Sequence, residues 1–196
     1  MKVRVVLTIF CLLTTLPATG EEASYIVVGG DLPVAAASNG YAQNVRLVAG
    51  GSAEVQVATT LAPIGADGTY ADILAGEIRD MPAGFELPRR LLSRLRPELD
   101  AWQAATLVLE WAADSVSVDI NDAGAQDAIS VLDRGRGRCS GLANANVALL
   151  LAAGFEARTV SGLLIGDDGA IPHRWIECRL PGAGSVSYTH LRAHET

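Results

Sequence analysis

The sequence predicts an α+β fold in which helices pack on an antiparallel sheet and a small β-rich region comes first. Three observations predict it. Residues 24–80 alternate short β-prone runs with turn residues, residues 88–153 change to helical periodicity, and residues 158–180 read as two strands around a Gly/Asp loop.

In the first region the run 25–28 is followed by Gly29 and Gly30, and the run 44–48 by Gly50 and Gly51. Residues 54–60 then alternate polar or charged with apolar side chains, as strands with one face in water do. Met81, Pro82, Ala83 and Gly84 cluster chain breakers where the pattern changes. They divide a β-rich N-terminal region, residues 21–84, from a core over residues 85–185.

Beyond that boundary Leu91, Leu92 and Leu95 share a face in a short segment ended by Pro97. Residues 101–113 form a mostly apolar helix with Leu107, Leu109 and Trp111, and both Trp102 and Trp111 fit a core role. Asp122 offers an N-cap for a helix over residues 123–132 that turns Ala128, Ile129 and Leu132 inward. Gly135 and Gly137 break it. A second helix, residues 140–153, opens on small residues and continues through Val147, Leu149, Leu150 and Leu151, the composition of a buried, closely packed helix. Gly154 supplies a left-handed stop, after which Phe155 can fold back on the helix. The β-prone run 158–165, the loop Gly166, Asp167, Asp168, Gly169 and the returning strand 171–180 make a hairpin. Pro181, Gly182, Ala183 and Gly184 begin another turn.

The two ends stand apart. Residues 1–20 carry Lys2 and Arg4, an apolar run over 5–13 and small residues at Ala18 and Gly20, the form of a secretory signal peptide cut before Glu21. The mature protein is expected to be secreted or periplasmic. Residues 186–196, VSYTHLRAHET, resemble the in-frame translation of a sequencing-library adapter and read as a non-natural tail. His190 and His194 then drop out of the chemistry, and the natural chain is expected to continue past Ser185.

Between residues 21 and 185 there are twelve arginines, no lysine and twenty-one carboxylates. A chain so acidic is a poor partner for nucleic acid. No segment after the leader reaches transmembrane length, so no membrane anchor is expected once the leader is removed.

Cys139 and Cys178 are the cysteines left after the leader, and an even number in an exported protein raises the question of a disulfide. Strand parity argues against one. His173, Trp175 and Glu177 fall on one face of their strand and Cys178 on the other, so if His173 faces Cys139, Cys178 points away. A bulge near Pro172 would reset that parity, and the disulfide alternative stays open. Two cysteines and one histidine on divergent faces do not supply a four-ligand zinc site, and no metal or cofactor is expected.

Cys139 lies in the run G-R-G-R-C-S-G-L-A-N-A-N over residues 135–146, where a helix begins. A thiol there meets the unpaired N–H groups and the positive dipole end, both of which favour thiolate. Arg134, Arg136 and Arg138 add positive potential if they point inward. An imidazole at His173 can take the thiol proton and return it to a leaving amine, while the same N–H groups stabilise an oxyanion. No substrate-binding residue can be named: Trp175 fits lining the site and packing beside the histidine equally well.

Residues 134–180 resemble the core of the transglutaminase-like superfamily, whose fold is papain-related. The resemblance rests on G-x-C followed by an apolar helix, on A-A-G-F-E-A-R-T-V-S-G at residues 152–162, and on H-x-W at residues 173–175. It implies Cys139 as nucleophile, His173 as general base and an aspartate on the next strand to orient the imidazole. Asp167 and Asp168 sit in the loop before the histidine and suit turn chemistry, so the third role has no candidate and is expected beyond Gly184. The chain as it stands is therefore expected to be inactive and to leave a sheet edge open. The implied activity is that of an exported cysteine-dependent acyl-transfer enzyme. It would hydrolyse or transamidate a peptide or amide bond through a Cys139 acyl-enzyme, with a peptide or protein, including those of the cell envelope, as substrate. Two alternatives remain: a non-catalytic binding module on the same fold, and a purely structural cysteine.

Overall fold

A computed structural model describes residues 20–28, 32–39, 41–60, 67–76, 85–166 and 169–188. Residues 1–19 of the expected leader, the expected turn at Gly29 and Gly30, residues 81–84, Asp167, Asp168, His190 and His194 lie outside the described residues. The chain divides into two compact units between residues 64 and 65.

The first unit is an antiparallel sheet of β1 (Gly20–Val28), β2 (Ala36–Ser38), β3 (Tyr41–Val48) and β4 (Ser52–Thr60), in the order β1-β4-β3-β2. Its β3–β4 turn needs glycine: Gly50 and Gly51 adopt φ of 81° and 72° between the paired Val48 and Ser52. Tyr25, Val55 and Val45 align across three strands, with Ala53 and Val55 buried. Cross-strand packing of this kind is what stabilises a sheet. Arg46 pairs with Glu54 directly opposite, its Nε donating at 2.9 Å.

The second unit holds α1 (Tyr70–Leu74), α2 (Arg89–Leu92), α3 (Ala101–Ser115), β5 (Ser117–Val118), α4 (Ala128–Arg134), β6 (Arg136–Gly137), α5 (Cys139–Ala152), β7 (Glu156–Gly166), β8 (Gly169–Leu180) and β9 (Gly184–Tyr188). Asp100 caps α3 by accepting from the N–H groups of Trp102 and Gln103, and Gln103 reaches back to the Asp100 N–H to complete a capping box. The core is apolar and centred on α3 and α5, with Leu91, Val108, Leu109, Val131, Leu149, Leu150 and Phe155 all buried. Trp102 and Trp111 are half-buried on α3.

The end of α5 follows from two residues. Gly154, at φ 89°, donates to the Leu151 carbonyl while the Phe155 N–H reaches the Leu150 carbonyl, the pair of bonds of a Schellman stop. Phe155 then folds back and stacks on Tyr70, ring centroids 5.7 Å apart. The Tyr70 hydroxyl donates to the Ala153 carbonyl at 2.8 Å, fastening α1 to the end of α5.

Three expectations are corrected. The helix expected over 123–132 with an Asp122 cap begins instead at Ala128, capped by Asp127, whose carboxylate accepts from the Ser130 N–H. Asp122 is engaged elsewhere, by Gln126 and Arg134, and cannot cap. With the start shifted, Val131 faces the core and Ile129 is exposed. Leu92 is also exposed, because α2 lasts barely one turn and only Leu91 and Leu95, four residues apart, share its inner face.

Candidate active site

Cys139 is the first residue of α5 and is partly exposed. The strand β6 delivers it: Gly135 adopts φ 65° to end α4, and Arg136 and Gly137 pair in parallel with Ser117 and Val118 of β5. The N-cap residue Arg138 makes no side-chain cap, so the first-turn N–H groups beside Cys139 carry no side-chain acceptor. Those are the donors that favour an anion at a helix start. Arg136 and Arg138 are exposed, whereas Arg134 is spent on Asp122 at 2.8 Å and on the Ala125 carbonyl at 2.7 Å.

The base of this helix start is a polar cluster that the sequence reading did not find. Gln126 Nε2 donates to Asp122 Oδ2 and to the Gly124 carbonyl, each at 2.8 Å, while its Oε1 accepts from the Arg138 N–H at 2.8 Å. Asn144 Nδ2 on α5 donates to the Gln126 carbonyl, again at 2.8 Å. The Asp122 carboxyl is held down at about 2, chiefly by the Gln126 hydrogen bond and further by Arg134 and the Gly124 N–H, against the opposing effect of its burial. The signal for this cluster was present as the polar run 121–127 ahead of two glycines, but only the fold closes it onto α5.

His173 lies on β8 opposite Gly162 of β7, and the strands pair without interruption from Glu156↔Arg179 to Gly166↔Gly169. Because β7 leaves α5 through a tight turn, it runs back along the helix. Fourteen helical residues rise about 21 Å, and the seven steps from Phe155 to Gly162 cover about 23 Å, so helix and strand are of matching length. Thr159 lines a depression with Asn144, Val147, Ala148 and Leu151, which identifies the hairpin face turned to α5. Its cross-strand partner Ile176 shares that face, with Cys178 and Leu180, all buried.

His173, Trp175, Glu177 and Arg179 therefore project from the opposite face. There Arg158 donates to Glu177 at 2.9 and 2.6 Å, and Arg179 lies 3.5 Å from Glu156. The His173 side chain thus falls on the face of β8 opposite Ile176, Cys178 and Leu180. Cys178 is on the other face, the one turned to α5, so the sides expected for His173 and Cys178 are exchanged. Both cysteines are free thiols, and burial, reinforced by the Glu156 charge, pushes Cys178 up to about 12.

β9 pairs with β8 from Leu180↔Gly184 to Ile176↔Tyr188 and buries Val186 against Cys178. Residues 186–188, assigned to the tail on sequence grounds, are thus part of this strand. No carboxylate lies on β9, and among the described residues it stops three positions short of His173.

Residues 89–190 match the family described as the transglutaminase-like superfamily. The chain belongs to that superfamily. The match runs from α2 to β9 and so takes in both Cys139 and His173. No curated protein matches the chain. Among solved structures, the transglutaminase-like chain is similar to a Cytophaga hutchinsonii protein described as a candidate cysteine protease, at 12% identity and a TM-score of 0.44, covering 92% of this chain and 69% of that one. It is also similar to a protein described as a TGase, at 13% identity and a TM-score of 0.36, covering 89% of this chain and 55% of that one. Among the described residues no cluster of three or more metal-binding side chains occurs, and no helix is long and apolar enough to cross a membrane.

Proposed function

We propose that the protein is an exported cysteine acyl-transfer enzyme acting on a peptide or amide bond, with Cys139 as nucleophile and His173 as general base. The observation that carries the reading is Cys139 at the uncapped first turn of α5 in a chain of the transglutaminase-like superfamily. Sγ attacks the carbonyl carbon, the first-turn N–H groups hold the oxyanion, and the C–N bond breaks as the imidazolium returns the thiol proton to the departing amine. Water then resolves the thioester to a carboxylate, or a second amine resolves it to a new amide, and the thiol is restored. Hydrolysis is the favoured outcome. No step needs a metal or cofactor.

The reading requires one movement. The pleat turns His173 to the face of β8 opposite Cys178, so bringing its imidazole to the first turn of α5 takes a local change of β8 register. Among the described residues, β9 pairs with β8 from Ile176 to Leu180. Catalytic hydrogen bonds often tighten only once substrate is bound. The export and the peptide or protein substrate, including one from the cell envelope, rest on the leader-like N-terminus and acidic composition.

Incubation with an activated peptide ester, followed by intact-mass and peptide-mass measurement, tests the nucleophile. One acyl group on Cys139 supports the reading. An undiminished acyl adduct in Cys139→Ala sinks it.

A further inference from the structure

We propose that Gln126 is a positioning residue for Cys139, clamping the first two turns of α5 so that the thiol meets the helix N–H groups. The proposal rests on the reading of Cys139 as the nucleophile. Gln126 bonds α5 twice from opposite ends of its own structure: the side-chain Oε1 accepts the Arg138 N–H, and the main-chain carbonyl accepts Asn144 Nδ2. Gly141 lies between those two anchor points. A Cβ built there would sit 2.3 Å from Gln126 Oε1 and 2.8 Å from Val131 Cγ2, so the amide occupies the space that any larger residue would need.

The orientation of the amide is set from behind. Both of its hydrogens are used, on Asp122 Oδ2 and the Gly124 carbonyl, so a flipped amide would turn its NH2 to the Arg138 N–H and its oxygen to two acceptors. Asp122 is in turn held by Arg134, whose guanidinium packs on Gly124, where a Cβ would meet Cζ at 2.7 Å. The chain of contacts Arg134, Asp122, Gln126, Arg138 N–H ends one residue before Cys139. It also has a chemical consequence. Gln126 takes the N–H of the cap residue, while among the described residues no side chain accepts from the first-turn N–H groups beside Cys139.

The test is alkylation of Cys139 by iodoacetamide in the full chain, followed by peptide mass mapping from about pH 5 to about pH 10, which brackets the ordinary thiol titration. Thermal unfolding is recorded alongside. Gln126→Met should move the midpoint of the alkylation profile upward by about one unit, because a displaced turn stabilises thiolate less. A folded Gln126→Met protein whose profile superimposes on wild type overturns the proposal, since a merely structural role would lower the melting temperature and leave the midpoint in place. If that variant does not fold, Gly141→Ala decides. It keeps every hydrogen-bonding group, suits a helix, and pushes the amide off Arg138, so the same upward shift is expected and a wild-type profile refutes the clamp. Alkylation needs no substrate. A null result here leaves the acyl-enzyme reading standing, and failure to trap an acyl-enzyme leaves the clamp standing.

Discussion

Gly162 stands directly opposite His173 across the β7–β8 ladder, and the Trp175 indole lies over it: a Cβ at Gly162 would fall 2.4 Å from Cη2 of Trp175. The glycine is what leaves room for the ring. Gly162→Ala should cost about 1–3 kcal/mol in denaturant unfolding, the usual effect of overpacking. In a Trp175→Ala background the same change should cost almost nothing, because the obstacle has gone. An equal cost in both backgrounds would show that the indole is not what the glycine accommodates.

The two thiols of the transglutaminase-like core should behave differently. Cys178 is fully buried and pushed up to about 12, so it remains a neutral thiol at ordinary pH, while Cys139 is partly exposed. Of these two, only Cys139 should take up alkylating reagent in the native protein, and Cys178 should react only after denaturation. A denatured, unreduced sample in which neither reacts would instead reveal a disulfide between them.

Acid should loosen the base of α5 before it unfolds the whole unit. The Asp122 carboxyl is held below the ordinary carboxylate range, at about 2, so its contribution is fully present above the unfolded value and is lost as pH falls through the folded one. Stability measured by thermal unfolding should therefore fall more steeply in wild type than in Asp122→Asn between about pH 4 and about pH 2. Parallel curves would remove Asp122 from the account of acid sensitivity.

Tyr70→Phe removes the donor to the Ala153 carbonyl and keeps the stacking on Phe155. The expected loss is about 1 kcal/mol, that of one buried hydrogen bond. Urea unfolding measures it directly, and an unchanged midpoint would mean that water replaces the hydroxyl without cost.

Most of this fold was legible because local chemistry and tertiary packing agree. Gly154 with Phe155 dictated the end of α5, Gly50 with Gly51 dictated the β3–β4 turn, and alternation along β8 separated His173 from Cys178. Asp122 was misread for a physical reason. An aspartate ahead of a helical pattern is a good cap on local grounds, but its carboxylate is drawn to Arg134, twelve residues away, and to Gln126. Gln126 itself carries no periodic or motif signal, and its importance arises only when Arg138, Gly141 and Asn144 close around it. The site was legible as two residues but not as a geometry. Parity gave the separation of His173 from Cys178, yet which face meets α5 depends on Thr159 and its neighbours across the helix.

The pairing of Cys139 with His173 is the central claim, and acylation kinetics test it most directly. Single-turnover acylation by an activated peptide ester, followed as a function of pH in wild type and His173→Ala, separates the thiol from its base. The account predicts a loss of about 10²- to 10⁴-fold in His173→Ala near neutral pH, with the imidazole-range inflection gone and Cys139 still the residue modified. An unchanged rate and profile in His173→Ala would show that the imidazole takes no part in the chemistry.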